Sequence, residues 1–237
     1  MRLKVTGSLL HWPKNKEWIP THDIYSMLLN RLGEEEKENA HKDKKEVCFF
    51  TFSKITVDHE KQVFHFYFSS TEEFVTRIKD SFDKHPLFYL EGNKDSGENR
   101  YILKVLHNTV LKELTVRDQY FFKGRLLAST SDRKRALTDD NEIEDLLISN
   151  GKAKLEKLGF DNPDLRIKIV KRERAITRYK RELYDEKDPT KLTKKAARIP
   201  SHYVTIKVEG DYNAIEALYA IGFGQNTGTG NGLLWEV

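Results

Sequence analysis

One order of apolar patterning runs through this chain twice, and it limits the folds open to it. Arg2–Leu10 reads as a strand. From Ile24 the apolar positions Ile24, Met27, Leu28 and Leu32 follow helical spacing, with Thr21 a fitting N-cap and Gly33 a C-terminal stop. Val47–Ile55 and Gln62–Ser69 are β-rich aromatic runs joined at Asp58–Lys61, a hairpin signal. A helix with the stripe Phe74, Ile78 and Phe82 follows, capped by Ser70 or Thr71 and ending near His85-Pro86. Tyr101–Val110 then closes the unit as a fourth strand, after a turn at Gly92–Asn99. The second half repeats the order: strand Tyr120–Thr130, helix Asp139–Leu158, strands Leu165–Arg174 and His202–Glu209, helix Asp211–Ile221 and strand Leu233–Val237. Two βαββαβ units in series specify an α+β protein of two tandem ferredoxin-like domains, placed at residues 1–114 and 115–237.

A sheet covered by helices on one face leaves the other open, and RNA-recognition modules stack bases on such a face. Phe64, Phe66 and Phe68 share one side of their strand. Three phenylalanines at alternate positions are expected to be core against the helices.

Five of the thirteen glycines lie within residues 222–232, and the apolar run Leu233-Leu234-Trp235-Glu236-Val237 closes the chain. That run demands burial as a strand, so the glycine segment is a loop pinned at both ends. Glycine admits positive φ and close approach of a ligand to the main chain, and successive N–H groups in such a turn can cradle an anion. The segment has no lysine and runs from helix to strand, which excludes both a P-loop and a dinucleotide fingerprint. A purely structural turn is the alternative.

Charge points the same way. The formal net charge is +4, yet residues 166–198 hold thirteen Lys/Arg against five Asp/Glu. Lys168, Lys171, Arg172, Arg174 and Arg178 head this basic stretch, and Arg133 and Arg135 form a second candidate contact. Such local excess suits a polyanion. No apolar run is long enough to span a membrane. The lone Cys48 fits a reducing cytoplasm and allows no internal disulfide. No two histidines have zinc spacing, and the Asp139–Asp145 carboxylates are explained by a helix start; no metal or cofactor is expected.

The spacing Gly222-Phe223-Gly224, five residues, Gly230-Asn231-Gly232, then an apolar strand resembles the glycine-rich loop of CRISPR-associated endoribonucleases. These are the RAMP-superfamily enzymes that cut precursor CRISPR RNA within its repeats. Ile19-Pro20 with Ile24-Tyr25 looks like that family's proline-led first helix. His41 ahead of Phe49-Phe50-Thr51-Phe52-Ser53 looks like its histidine before a Phe-Thr-Phe-Ser strand. Asn231, where the family usually places a hydrophobic residue, and the additional Gly228 depart from the pattern.

The resemblance implies tandem ferredoxin-like domains and metal-independent cleavage by the ribose 2′-hydroxyl, giving a 2′,3′-cyclic phosphate and a 5′-hydroxyl. It implies His41 as general acid or base, Tyr25 as its partner, and Lys44 or Lys45 as the cation. The loop residues Gly222, Gly224, Gln225, Asn226, Gly230 and Gly232 would meet RNA. Tyr25 and His41 are sixteen residues apart, about 24 Å along an unbroken helix, so they meet only if the chain breaks near Gly33. His22 shares a helical face with Tyr25 and is the alternative histidine. The expected partner is a CRISPR repeat transcript in a prokaryotic cytoplasm. Other effector subunits and a homodimer are left open, and a non-catalytic RAMP-type RNA-binding subunit is the alternative function.

Overall fold

The computed structural model describes residues 1–12, 21–34, 48–91, 100–111, 114–130, 137–184, 192–225, 227 and 230–237; the side chains of residues 22, 91, 100, 176–184 and 192–200 are outside that description. The first unit comprises β1 (Arg2–His11), α1 (Thr21–Leu32), β2 (Phe50–Phe52), β3 (Thr56–Asp58), β4 (Val63–Ser70), α2 (Glu72–Lys84), β5 (Leu87–Glu91) and β6 (Arg100–Leu111). Its sheet runs β2-β4-β1-β6-β5, with β3 also paired to β4. All pairs are antiparallel. β2 and β3 are one strand in two pieces. The break falls at Ser53, whose hydroxyl oxygen accepts the Tyr67 N–H at 2.9 Å in place of a main-chain partner.

Alternation fixes which side of this sheet is core. Register pairs Leu3 with Phe68 and Val5 with Phe66, and Phe64, Phe66 and Phe68 are all buried. They pack with Ile24 and Leu28 of α1 and with Val75, Ile78 and Phe82 of α2. Phe82 meets Phe66 at 6.1 Å and Phe88 at 5.7 Å between ring centroids. The three phenylalanines are therefore core. Lys4, Thr6, His65 and Tyr67, one residue out of phase, stay partly exposed on the opposite face.

The second unit comprises β7 (Gln119–Leu126), α3 (Asp140–Lys157), β8 (Leu165–Tyr184), β9 (Leu192–Gly210), α4 (Tyr212–Ile221) and β10 (Leu234–Glu236), in the sheet order β10-β7-β9-β8. Asp139 caps α3 by accepting from the N–H groups of Asn141 and Glu142, and Asp211 caps α4 through Asn213. In both units the order is fourth, first, third, second strand, the ferredoxin-like arrangement. Leu114 belongs to the second core, with Tyr120, Phe122, Ile206 and Leu218.

Two features depart from the sequence expectation. β5 adds a fifth path to the first sheet. β8 and β9 are 20 and 19 residues long, against the ten and eight expected. β7 pairs with β9 only over His202–Glu209, so beyond that point β8 and β9 continue as a two-stranded ribbon, in register from Ala175↔Ser201 to Tyr184↔Leu192.

Removing a fully buried ring from a close-packed core leaves a cavity. Phe66→Ala should lower the unfolding free energy by about 3–5 kcal/mol, read from the denaturant midpoint at unchanged slope.

Candidate nucleic-acid interface

The closing loop is where the two units meet. α4 ends at Gly222, whose φ is 93°, and its N–H returns to Leu218 O at 2.8 Å. The loop then ties itself to its own domain. Phe223 N donates to Gly232 O (3.0 Å), Gly232 N to Arg125 O (2.8 Å), Gln225 N to Leu127 O (3.3 Å) and Gly230 N to Thr227 O (3.2 Å). The Gln225 side chain clamps Ser129, accepting from its N–H at 3.0 Å and its hydroxyl at 2.9 Å.

On its outer side the loop packs against the first unit. Thr51 Oγ1 donates to Asn231 O at 3.0 Å, and Thr227 Oγ1 to Cys48 O at 3.4 Å. A Cβ on Gly222 would approach the Thr51 side chain to 3.0 Å, and one on Gly230 would meet the Phe52 ring and the Thr21 methyl at 3.3–3.4 Å. Thr21 is the first residue of α1. Gly222, Gly224 and Gly232 are buried. Gly222, Gly230 and Gly232 were expected to cradle an anion. Their N–H groups are already donated to carbonyls, and their missing side chains are what lets the two domains approach. Asn226 lies outside the described residues.

Two buried cations complete the junction. Lys154 of α3 donates to the carbonyls of Gly222 (2.8 Å) and Gly224 (3.1 Å). Burial pulls its pKa down to about 8, with the Cys48 thiol opposing the shift. Arg2 donates to Tyr219 O at 2.9 Å, and its guanidinium lies 3.4 Å from the Tyr219 ring centroid and 4.7 Å from that of Trp235. Its Nε and Nη1 have no hydrogen-bond partner. Burial lowers its pKa to about 10, so it stays charged near neutrality, stabilised by two ring faces. Ser69 Oγ donates to Ala220 O at 2.6 Å beside it.

Of the expected catalytic side chains, Tyr25 is the one the description reaches. It is half-buried, stacked on Phe50 at 5.7 Å. Burial, reinforced by Cys48, pushes its pKa up to about 12, so its hydroxyl is a proton-bearing donor near neutral pH. α1 carries His22 one turn before Tyr25; the His22 side chain, and His41, Lys44 and Lys45, lie outside the described residues.

The basic strand is less free than its sequence suggests. Lys168 pairs with Glu144 at 2.7 Å, and Lys171 with Glu173 at 2.9 Å. Arg172 bonds Asp140 Oδ1 and Thr138 O, which ties β8 to the start of α3. Arg174 is exposed. The ribbon beyond carries Arg178 directly across from Arg198, and Arg181 across from Lys195. Arg133 and Arg135 lie outside the described residues.

Three of the carboxylates at the start of α3 have protein partners. Asp139 caps α3, Asp140 holds Arg172, and buried Glu144 takes both Lys168 Nζ and Ile169 N–H. Among the described residues no three His, Cys, Asp or Glu side chains group as metal ligands. Likewise no described helix is long and apolar enough to cross a membrane.

The sequence reading missed one cluster. Arg125 donates to the Tyr203 hydroxyl at 2.7 Å and lies 4.6 Å from that ring. Lys54, from the other domain, has its pKa lowered by burial and by Arg125. The alternation of β7 put Lys123 and Arg125 on the open face, but nothing local pairs Arg125 with a residue 78 positions away.

Solved structures share this architecture over the whole chain. A Cas6-related protein from Pyrococcus furiosus superposes with a TM-score of 0.68 at 19% identity, covering 100% of this chain and 98% of its own. An RAMP protein binding different RNA substrates gives 0.66 at 19% identity, and a CRISPR-associated protein Cas6 gives 0.65 at 17%; each match covers 100% of this chain and 99% of the other. The likeness is one of fold. No protein-family model matches the chain, and no curated protein does.

Two stability measurements test the junction. At Gly232 φ is +83° and a Cβ would collide with Phe223 O, so Gly232→Ala should cost at least about 2 kcal/mol in chemical denaturation. Lys154 binds its proton less tightly folded than unfolded. The unfolded chain therefore holds more protons between about pH 8 and 10, and stability must rise with pH there. The wild-type minus Lys154→Met difference in unfolding free energy should climb across that window, by about 2–3 kcal/mol at most.

Proposed function

We propose that this chain is a metal-independent endoribonuclease that cuts CRISPR precursor RNA within its repeats to release guide RNAs. The observation that carries the reading is the end-to-end sharing of a tandem fold with Cas6 proteins and with an RAMP protein that binds RNA. It is supported by the seam that fold makes here, where the glycine loop packs on the first turn of α1.

The chemistry asks little of a protein. The ribose 2′-oxygen attacks the adjacent phosphorus as the bond to the 5′-oxygen breaks in line. One proton leaves the 2′-hydroxyl for a base, and one reaches the departing 5′-oxygen. Histidine suits these transfers near neutral pH, and His41 takes that role, with His22 the alternative on the same helix as Tyr25. Tyr25, kept protonated by its surroundings, donates a hydrogen bond to a reacting oxygen rather than removing a proton. Lys44 or Lys45 offsets the charge that builds at phosphorus.

The first unit, through β6, then supplies the chemistry and the second, from Leu114 onward, the grip. Arg174, Arg178 and the ribbon take phosphates directly, and Arg133 and Arg135 add a second set. Lys168, Lys171 and Arg172 exchange their carboxylate partners for phosphate or steady the strand. The glycine loop acts as a spacer that fixes α1 against this surface. Binding through several phosphates makes affinity fall steeply with salt.

The test is repeat RNA incubated in EDTA, beside RNA with a 2′-deoxy at the cut site. Cleavage of the first and sparing of the second is expected. His41→Ala should slow cleavage about 10²–10⁴-fold, and Tyr25→Phe about tenfold, the worth of one lost hydrogen bond. RNA bound in a salt-sensitive way but left intact would mean a binding subunit. Activity abolished by the chelator would mean a metal nuclease.

A further inference from the structure

The ribbon leaves the body of the second domain at one residue. His202 is the last position of β9 paired on both sides, with Leu126 of β7 and with Arg174 of β8. From the next pair, Ala175↔Ser201, β8 and β9 go on without β7. This root is weakly built. Pro200, which pairs with Ile176, has no N–H to give to a ladder. Ser201 and His202 are each 1% exposed, yet among the described residues the Ser201 hydroxyl and both His202 ring nitrogens have no hydrogen-bond partner. Buried polar groups left unpaired are costly, and here they sit where the arm begins.

Alternation puts His202 on the helix-covered face, in phase with buried Val204, Ile206 and Val208. β7 meets it with Leu126, buried and neutral, while Arg125 is one residue out of phase. β8 brings two cations to the same face, Arg174 directly across and Arg172 across from Val204. The start of α3 brings Asp140 and the Leu137 main chain. Asp139, the N-cap, is taken up by the N–H groups of Asn141 and Glu142. Asp140 is held by Arg172, which also donates to Thr138 O at 2.7 Å. That tie fastens β8 to α3 beside the root. Burial first, then Arg172, hold the His202 pKa below the ordinary 6.5. Arg174 adds to the effect, and Leu137 and Asp140 oppose it. The ring is therefore neutral near pH 7.

A proton added to this ring makes a third cation beside two arginines, with Asp140 as the carboxylate they must share. We infer that His202 is an acid-sensitive latch: its protonated ring competes with Arg172 for Asp140, breaks the tie between β8 and α3, and loosens the two-stranded arm at its root. Linkage sets the direction. Because the closed root lowers the affinity of His202 for its proton, an open root binds more protons below pH 6.5. Closure is therefore fully favoured above that pH and is lost as the pH falls through it. Between pH 7.5 and 5.5 the open fraction should rise by up to about tenfold. The inference concerns how the arm is attached and does not depend on the RNA reading.

The experiment is amide hydrogen exchange on the full chain at pH 7.5 and 5.5, with labelling times scaled for the pH dependence of free-amide exchange. Peptides covering residues 175–184 and 192–201 should open up to about tenfold more often at the lower pH. Residues 204–208, in the same strand but inside the sheet, should keep their protection. His202→Phe and His202→Gln take no proton in this range, and thermal melting shows which of them is folded. A folded variant should protect the arm equally at both pH values. In the wild type the loss should set in near pH 6.5, which decides the matter even where neither variant folds. Arm protection indifferent to pH, acid sensitivity kept by a folded variant, or loss shared equally by residues 204–208 would overturn the inference. So would an onset below about pH 5, which belongs to carboxylates.

Discussion

Everything in this molecule is arranged around a seam that only main chain can fill. The stretch from Gly222 to Gly232 runs between the second domain's β7 and the first domain's β2, giving N–H groups to one side and taking a threonine hydroxyl from the other. Side chains at Gly222, Gly230 or Gly232 would push the domains apart or strike a carbonyl. The loop's carbonyls, left over by this pairing, are collected by Lys154, a charge that burial would otherwise make costly. Arg2 does the corresponding work at the other end of the seam, its charge spread over two aromatic faces instead of a carboxylate.

This arrangement gives the glycines a different part from the one their pattern suggests. A run of glycines in a basic protein reads as a phosphate cradle because positive φ and bare backbone are common to cradles and close domain packing alike. What separates the two is where the N–H groups go, and here they are satisfied inside the protein. On the proposed reading a polyanion would meet side chains instead, among them exposed Arg174 and the Arg125–Tyr203 pair with Lys54. Thr21, at the start of the α1 that carries Tyr25, lies against Gly230 of the loop.

Much of the fold was legible because buried strands and helices declare themselves by period. Phe64, Phe66 and Phe68 announced the core face of β4, and Val204, Ile206 and Val208 that of β9. The ribbon was invisible beyond Arg174 for the opposite reason. Its sequence is dominated by Lys and Arg, with no sustained apolar alternation to read, and such charges look like a linker. β5 escaped notice because five residues after His85-Pro86 resemble the tail of a helix, and only their pairing with β6 makes them a strand. Tyr25 and the basic run of β8 could be named as candidates from the sequence. The ion pairs of that run could not, since Lys168 finds Glu144 and Arg172 finds Asp140 across the fold. Long-range pairing of this kind leaves no local trace in sequence.

The central claim is that RNA cut by this protein is severed by its own ribose oxygen. The most direct measurement is the mass of the fragment ends after incubation with a repeat transcript in metal-free buffer. A 2′,3′-cyclic phosphate on the upstream fragment and a 5′-hydroxyl on the downstream one are predicted. A 3′-hydroxyl facing a 5′-phosphate would contradict the account, because water and not the substrate would then have supplied the attacking oxygen.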